Sequence, residues 1–324
     1  MIILTFLIFL ISVAILTLAG SILMNSLTKV TNFLGWRDFV VAFLLVSLGT
    51  SLPNLLMGIS SALRNVPQLS FGDVLGGNIV DFTLVIALAV LVGGNISTKG
   101  FFLQTSILIT SFVSILPLIL IFDKTLSRLD GILLILCFLS YVKWLFSEKK
   151  NFLELRGSLS NNSHLFQNFA EFLKGIFGLI LGFFFLLFSA DIVVKSAIGI
   201  ADFFHLPIAI LGLLLTGLGN SLPELYFAIL AARKKGSGGL ILGDALGSVV
   251  FLSTLILGIV ALIQPIQIID FSPFLIARFI LILTAILFFI FSKTNQVLSR
   301  REALVLILIY FIFAFSEIFN QMTK

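Results

Sequence analysis

The chain has 324 residues, of which 59% are apolar and only 11% are charged, with a formal net charge of +5. A water-soluble domain of this size cannot bury so much apolar surface, so the composition indicates a protein that a lipid bilayer solvates. The basic residues lie in short loops without interleaved aromatic residues, which argues against a nucleic-acid partner. The single cysteine, Cys137, excludes an internal disulfide.

Stretches of about 20 mostly apolar residues, the length that crosses a bilayer as a helix, recur along the whole chain. The first stretch has no basic leader and no cleavage site, so we interpret it as a retained span and not as a signal peptide. The predicted class is an all-α membrane protein with ten transmembrane helices. Their approximate bounds are 2–24, 38–63, 70–92, 101–121, 128–147, 170–194, 205–232, 239–262, 270–291 and 302–320.

A pair of matched motifs divides the chain into two copies of one unit. LGTSLPN at residues 48–54 reappears as LGNSLPE at 218–224, with five of seven positions identical at an offset of 170 residues. A second pair follows, GDVLGGNIVD at 72–81 and GDALGSVVFL at 243–252. We therefore predict a first five-helix repeat at 1–147 with its core at 38–92, a flexible cytoplasmic linker at 148–169, and a second five-helix repeat at 170–324 with its core at 205–262.

An odd number of spans in each unit predicts the architecture. A second copy of a five-span unit enters the membrane from the opposite side, so the halves form an inverted five-plus-five repeat, which places a transporter's site at the repeat interface. With the N-terminus outside, twelve Lys and Arg residues fall in cytoplasmic loops and five in external segments. The excess of basic residues on one side favours an N-out/C-out orientation.

Four acidic residues lie inside the spans that carry the two motifs, and an ionisable group costs about 2.5–3.5 kcal/mol at the centre of a span. Asp81 and Glu224 lie near the middle of spans three and seven, so we expect them to bind cations. Asp73 and Asp244 occupy the first turns of spans three and eight. Their two interpretations, stabilisation by the helix N-terminus or a place at the mouth of an ion path, stay open.

A proline inside each first motif predicts a break in its helix. Pro53 and Pro223 cannot donate a hydrogen bond, which frees the carbonyl groups of Gly49 and Gly219 four residues back. Freed carbonyls together with nearby hydroxyl and amide oxygens are ligands that hard cations such as Na⁺ and Ca²⁺ prefer. The alternative, that the Gly, Ser and Pro residues only serve helix packing, explains Gly76 well but does not explain buried acids at related places in both halves.

At GTSLPN…GDVLGGN and GNSLPE…GDALGS the chain resembles the α-repeats of the cation/calcium antiporter superfamily, the sodium/calcium exchangers and their prokaryotic relatives. The resemblance covers nearly the whole chain. It implies that spans one and six slide as gating helices across a core that binds Na⁺ or H⁺ and Ca²⁺ alternately. Carried over by position, it implies the metal ligands Thr50, Ser51, Asn54, Gly77 through its backbone, Asn78, Asp81, Asn220, Ser221, Glu224 and Ser248.

This sequence departs from the family pattern at four positions. Asn54 stands where a glutamate is usual, and Gly77 stands where a serine is usual. Val249 replaces an asparagine, and Leu252 replaces a carboxylate or amide. One carboxylate is left in each half. Together the two carry a charge of about −2, which balances one Ca²⁺ or two monovalent cations. We therefore predict an electroneutral exchange of about two Na⁺, or two H⁺, for one Ca²⁺.

Two alternatives stay open, an antiporter of the same fold for other monovalent or divalent cations, and a transport-inactive membrane scaffold. No nucleophile with a base, no P-loop and no dinucleotide fingerprint is present, which argues against an enzyme. We expect no permanently bound cofactor, since Ca²⁺ and Na⁺ or H⁺ are transported. The expected partners are the lipid bilayer and inorganic cations. The oligomeric state stays open and is compatible with a monomer, and the expected location is a prokaryotic inner membrane.

Overall fold

The structure, a computed structural model, describes residues 2–33, 47–147, 165–233 and 238–322. Within this part of the chain eight helical segments are long and apolar enough to cross a membrane, and two shorter apolar helices cover Ile3–Ala19 and Leu52–Leu63. The eight segments are Pro67–Gly93, Phe101–Asp123, Arg128–Ser147, Glu171–Phe204, Ile208–Ala232, Gly238–Ile263, Ser272–Lys293 and Arg300–Asn320. The chain is therefore a multi-pass integral membrane protein.

Three of the segments contain a π-helical turn that divides them into shorter α-helices. These turns cover Asp81–Val85, Leu211–Thr216 and Phe251–Ile256, and short 3₁₀ turns cover Ile121–Asp123 and Ser272–Phe274. The α-helices are, in chain order, α1 (Ile2–Phe33), α2 (Leu52–Leu63), α3 (Pro67–Val80), α4 (Ile86–Gly93), α5 (Phe101–Leu120), α6 (Arg128–Ser147), α7 (Leu165–Phe204), α8 (Ile208–Ile210), α9 (Gly217–Asn220), α10 (Leu222–Ala232), α11 (Gly238–Val250), α12 (Leu257–Ile263), α13 (Leu275–Lys293) and α14 (Arg300–Met322).

The first and sixth predicted spans are longer than the sequence suggested. Helix α1 continues to Phe33, and α7 begins at Leu165 and ends at Phe204. The assignment of residues 165–169 to a flexible linker is therefore wrong, because they form the first turn of α7. Residues 38–46 of the second predicted span and 148–164 of the linker lie outside the described residues.

Helices α1 and α7 pack lengthwise against each other. With 40 residues, α7 is roughly 60 Å long at 1.5 Å per residue, about twice the thickness of the hydrocarbon layer. Their contact buries Phe9 and Leu16 on α1 and Leu186 and Val193 on α7. The two helices that the family resemblance assigns to gating thus form a layer of their own beside the remaining helices.

Helices α3 and α11 form the interior of the protein. All but one residue of α3, from Pro67 to Val80, are buried, and so is every residue of α11 from Ile241 to Val250. Glycines let the backbone of α3 touch α8 and the π-helical turn Leu211–Thr216 that follows it. A Cβ atom on Gly76 would lie 2.1 Å from the carbonyl oxygen of Leu213, and one on Gly72 would lie 2.3 Å from that of Ala209. The prediction that Gly76 serves close packing is confirmed.

Four two-residue strands, which the all-α prediction missed, connect the two halves at the ends of the helices. They are β1 (Ile96–Ser97), β2 (Thr125–Leu126), β3 (Ile266–Gln267) and β4 (Val297–Leu298). β1 pairs with β4 and β2 pairs with β3, both antiparallel. Each pair therefore joins a connection in the first half to a connection in the second half.

Candidate cation site

Both SLP motifs break their helices as the prolines predict. Ser51 has φ −89° and ψ 1°, and Ser221 has φ −83° and ψ 1°, so the chain leaves helical geometry at equivalent residues and resumes it in α2 and α10. The carbonyl oxygen of Gly219, freed by Pro223, accepts a hydrogen bond from the Thr17 hydroxyl at 3.3 Å. Helix α1 therefore contacts the broken helix directly at its freed backbone group.

A compact group of oxygens lies where the first break meets α10 and α11. The Ser51 and Ser248 hydroxyls are 2.8 Å apart, and they donate to Oε1 of Glu224 at 3.3 Å and 3.2 Å. All three residues are at most 1% exposed. These residues come from both halves of the chain, so the repeat interface holds a carboxylate and two hydroxyls within hydrogen-bonding distance.

Asp81 lies at the start of the first π-helical turn and is fully buried. The Ser248 hydroxyl faces Asp81, but among the described residues neither Asp81 carboxylate oxygen has a partner with regular hydrogen-bond geometry, and the same holds for Oε2 of Glu224. The charges of Asp81 and Glu224 act on each other electrostatically. We call Ser51, Asp81, Glu224 and Ser248 the central cluster; its unpartnered carboxylate oxygens favour a bound cation.

Asp73 lies deep in α3 and not in the first turn of its helix. Helix α3 begins at Pro67, and the Asp73 carboxylate is fully buried. Asn54 Nδ2 donates to its Oδ2 at 3.1 Å, and Asn220 Nδ2 donates to its Oδ1 at 2.9 Å. The interpretation as an acid stabilised by a helix N-terminus is therefore wrong for Asp73, which contacts two of the predicted ligands.

Asp244, the repeat equivalent of Asp73, lies at the corresponding place in α11 and is 1% exposed. Its Oδ1 is 3.4 Å from the Thr50 hydroxyl, which also donates to the Ser47 carbonyl oxygen at 3.1 Å. Its Oδ2 has no hydrogen-bond partner within the described part of the chain. Asp244 therefore belongs to the buried polar interior, and the helix-terminus interpretation is wrong here too.

Two of the four departures from the family pattern, Gly77 and Leu252, lie together and make one side of the interface apolar. A Cβ atom on Gly77 would lie 3.3 Å from Cδ1 of Leu252 and 3.5 Å from the Ser221 hydroxyl. The equivalent place in the repeat holds Ser248, Asp81 and Ser51. Gly77 is the equivalent of Ser248 and lacks its hydroxyl, and Leu252 is the equivalent of Asp81 and lacks its carboxylate. Only one of the two equivalent positions therefore carries charge.

The predicted ligands form hydrogen bonds with several different partners. Asn78 donates from Nδ2 to the Ser253 hydroxyl at 2.7 Å, and Thr50 faces Asp244. Asn54 and Asn220 hold Asp73. Among the described residues no group of three or more His, Cys, Asp or Glu side chains is arranged to hold a metal ion. A cation here would therefore depend on hydroxyl, amide and backbone oxygens besides carboxylates.

Sequence reasoning did not include Asp73, Asp244 and Ser253 among the site residues. One signal was available for the two aspartates, since GD opens both copies of the second motif at an offset of 171 residues. Ser253 carried no signal. It contacts Asn78 across 175 positions of sequence, a distance that only the tertiary structure can close.

Buried carboxylates and hydroxyls inside a bundle of membrane-spanning helices define a membrane ion transporter. A family model described as sodium/calcium exchanger protein matches residues 4–147 and 174–319, so the chain belongs to the sodium/calcium exchanger family. Members of this family are exchangers, and the chain is accordingly a cation antiporter and not an enzyme.

Several relatives match most of the chain. It is 28% identical to the sodium/calcium exchanger MaX1 of Methanosarcina acetivorans, over 97% of this chain and 98% of that protein. It is 30% identical to the inner membrane protein YrbG of Escherichia coli, over 71% of each chain. Its fold is similar to a solved structure of the sodium-calcium exchanger NCX_Mj soaked with Na⁺ and Sr²⁺, with a TM-score of 0.64 and 24% identity over 96% of this chain and 98% of that one.

Proposed function

We propose that this protein exchanges Ca²⁺ for Na⁺ across the membrane and that the central cluster is its cation site. The observation that carries the proposal is the contact of Ser51 and Ser248 with Glu224 at 3.3 Å and 3.2 Å, beside a buried Asp81 that faces Ser248 and has no partner with regular hydrogen-bond geometry in the described part of the chain. Two buried carboxylates without a basic partner require positive charge, and oxygen ligands of this kind suit Ca²⁺ and Na⁺.

The remaining residues that the resemblance implies as ligands extend this site in our proposal. Gly77 supplies its backbone carbonyl, and Ser221 supplies its hydroxyl on the apolar side. Thr50 contacts Asp244, and Asn78 contacts Ser253. Asn54 and Asn220 reach the site through Asp73. We expect no permanently bound cofactor, because the cations are the transported substrates.

We propose that the chain has ten transmembrane helices in an inverted five-plus-five repeat, and the strand pairs support this. β1 and β3 occupy equivalent places in the two halves, as do β2 and β4. One membrane-spanning segment, Phe101–Asp123, separates β1 from β2, so they lie at opposite faces. Since β2 pairs with β3, the equivalent strands β1 and β3 also lie at opposite faces.

An N-out/C-out orientation follows from the excess of basic residues in the loops that would then be cytoplasmic. Replacing Cys137 with serine and adding one cysteine at a time tests it. Lys99→Cys should react with an impermeant maleimide only from the cytoplasmic face, and Lys124→Cys only from outside; both positions are exposed. Labelling of both from the same face would contradict the inverted repeat. We further propose a prokaryotic inner membrane, because the relative YrbG is an inner membrane protein.

Alternating access in this proposal depends on α1 and α7. They pack on each other as a separate layer, and Thr17 of α1 contacts the freed carbonyl of Gly219 in the core. Sliding of this pair would expose the central cluster to one side and then to the other. Rigid-body motion of one bundle against another around a fixed site is how many secondary transporters work.

We propose a stoichiometry of about two Na⁺ for one Ca²⁺, because Asp81 and Glu224 together carry about −2 when ionised. Asp73 and Asp244 add buried charge that the sequence count left out. Asp73 contacts two amide donors and Asp244 contacts a hydroxyl. The two-to-one stoichiometry requires that the protonation of both groups is the same in the Ca²⁺-loaded and the Na⁺-loaded states.

Radioactive Ca²⁺ uptake into liposomes that contain the purified protein tests the proposal. An outward Na⁺ gradient should drive uptake, and an imposed membrane potential should leave the rate unchanged. Glu224→Gln should abolish uptake, whereas Asp202→Asn, an exposed acid on α7, should retain it. Uptake by Glu224→Gln at the normal rate would remove Glu224 from the site. Uptake driven only by a proton gradient would instead identify H⁺ as the counter-ion.

The apolar side of the interface favours one alternative, an antiporter of this fold for a different cation. Leu252 beside Gly77 removes ligands that the family pattern supplies. Competition of Ca²⁺ uptake by other divalent and monovalent cations distinguishes the two functions. A cation that drives exchange with Na⁺ where Ca²⁺ does not would replace Ca²⁺ as the substrate.

A further inference from the structure

The β1–β4 strand pair is part of a hydrogen-bonded junction between the two halves of the chain. Thr98, the residue after β1, donates from its hydroxyl to the Ser292 carbonyl oxygen at 2.7 Å. The Gln104 side-chain amide donates to the carbonyl oxygens of Thr98 and Ser292, both at 2.8 Å. Thr98 and Ser292 are fully buried. The junction therefore holds the start of α5 in the first half against the end of α13 in the second half.

Four exposed basic residues adjoin this junction, and they come from both halves of the chain. They flank the ends of three membrane-spanning segments, because one precedes α5, one ends α13 and two begin α14. Two of them directly follow Thr98 and Ser292, so the hydrogen bond between these residues brings positive charges from distant parts of the sequence together. We call the four residues the basic rim: Lys99, Lys293, Arg300 and Arg301.

Acidic side chains do not balance the charge of the basic rim. Among the described residues none of its members forms an ion pair. The connections that build it, residues 94–100 and 294–301, contain no Asp or Glu. The next acid along the chain, Glu302, accepts hydrogen bonds from the backbone N–H and the hydroxyl of Ser299 and so caps α14. The rim therefore presents uncompensated positive charge where the helices end.

The β2–β3 pair, one membrane-spanning segment away from β1, carries charges of both signs. The connections around it hold Lys124 and Arg128, but they also hold Asp123, Asp130 and Asp270. A bias of basic residues toward one side of the membrane accounts for this difference between the faces. It does not account for the convergence of basic residues from both halves on one strand pair. The arrangement of the basic rim therefore calls for an anionic partner.

We propose that the basic rim binds the headgroup of one anionic phospholipid. Basic side chains at the ends of membrane-spanning helices lie at the depth of the lipid phosphates, which attract them. The Lys293 ammonium lies 5.6 Å from the centre of the Phe289 ring, so its stem follows α13 back toward the membrane. Phe101 on α5 and Ile290 on α13, 77% and 48% exposed, offer apolar surface beside the rim for the acyl chains. This inference does not depend on which cations the protein exchanges.

Native mass spectrometry of the purified full-length protein, titrated in detergent with phosphatidylglycerol or phosphatidylcholine of the same acyl chains, tests this site. The wild-type protein should bind one phosphatidylglycerol with an affinity about tenfold higher than that for phosphatidylcholine. Lys99→Gln together with Lys293→Gln should weaken phosphatidylglycerol binding by on the order of tenfold or more, since each basic side chain contributes about fivefold. Lys124→Gln together with Lys174→Gln removes the same charge from exposed positions outside the rim and should keep the wild-type affinity.

Three results would overturn the inference. The first is equal affinity of the wild-type protein for the two lipids, and the second is an equal loss of affinity in both double variants, which would assign the effect to net charge. The third is displacement of the lipid by an equal concentration of glycerol 3-phosphate, which would make the rim a site for soluble phosphate. If the rim double variant does not fold, Arg300→Gln alone should weaken phosphatidylglycerol binding about fivefold, and wild-type affinity in that variant would contradict the site.

Discussion

Replacing Gly76 with alanine tests how closely the two halves of the protein meet. A Cβ atom at Gly76 would lie 2.1 Å from the Leu213 carbonyl oxygen and 2.9 Å from its carbon, whereas ordinary contacts begin at 3.4 Å. The overlap is therefore about 1 Å, and the obstacle is backbone, which cannot rotate away. Overpacking typically costs about 1–3 kcal/mol, and we expect the upper end of this range. A cost of about 3 kcal/mol changes a folding equilibrium on the order of a hundredfold.

The neighbouring glycine provides a matched control. A Cβ atom at Gly77 would meet only the ends of the Leu252 and Ser221 side chains, at 3.3 Å and 3.5 Å, and these ends can shift by a few tenths of an ångström. Thermal unfolding in detergent, followed by the monomeric fraction that survives heating, should show a clear loss of stability for Gly76→Ala and a small effect for Gly77→Ala. Equal stability of the two variants, or a wild-type midpoint for Gly76→Ala, would refute this account of the interface.

Two further changes test how the long helices contact the core. Asp191→Asn on α7 removes a half-exposed ion pair with Arg64, whose Nε donates to Oδ1 of Asp191 at 2.8 Å. We expect thermal stability in detergent at low salt to fall by about 0.5–1 kcal/mol, because exposed ion pairs contribute on this order. Asp202→Asn is the control, and a wild-type unfolding midpoint for Asp191→Asn would contradict the prediction. Thr17→Val removes the 3.3 Å contact between α1 and the Gly219 carbonyl oxygen, so we expect the free energy of unfolding to fall by about 1 kcal/mol. A wild-type thermal unfolding midpoint in detergent would contradict this contact.

The sequence predicted the parts of the site that depend on local chain chemistry. Pro53 and Pro223 cannot donate hydrogen bonds, and both helices break at the serine two residues earlier. Asp191 and Lys195 lie one helical turn apart, a spacing that favours an ion pair, and they form one at 2.8 Å. In each case the cause and the effect lie within four residues of each other.

Predictions that required the position of one helix against another were less accurate. The predicted span begins at residue 70, which puts Asp73 at a helix N-terminus. In the structure α3 begins at Pro67, so Asp73 lies further inside the helix. The partner of Asp73 on the other half is Asn220, which lies 147 residues away. No periodicity within either segment indicates which side chain of one repeat meets which side chain of the other.

The sequence by itself determined that this is a membrane protein, that two homologous halves build it, and that each half carries a broken helix and a buried acid. These properties depend on composition, offset and local backbone chemistry, which the chain carries without folding. The tertiary structure decided how the polar residues are grouped, with Ser51, Ser248 and Glu224 in one set and Asn54, Asn220 and Asp73 in another. That grouping depends on the close approach of backbones at glycines such as Gly76, which fixes the register of one half against the other.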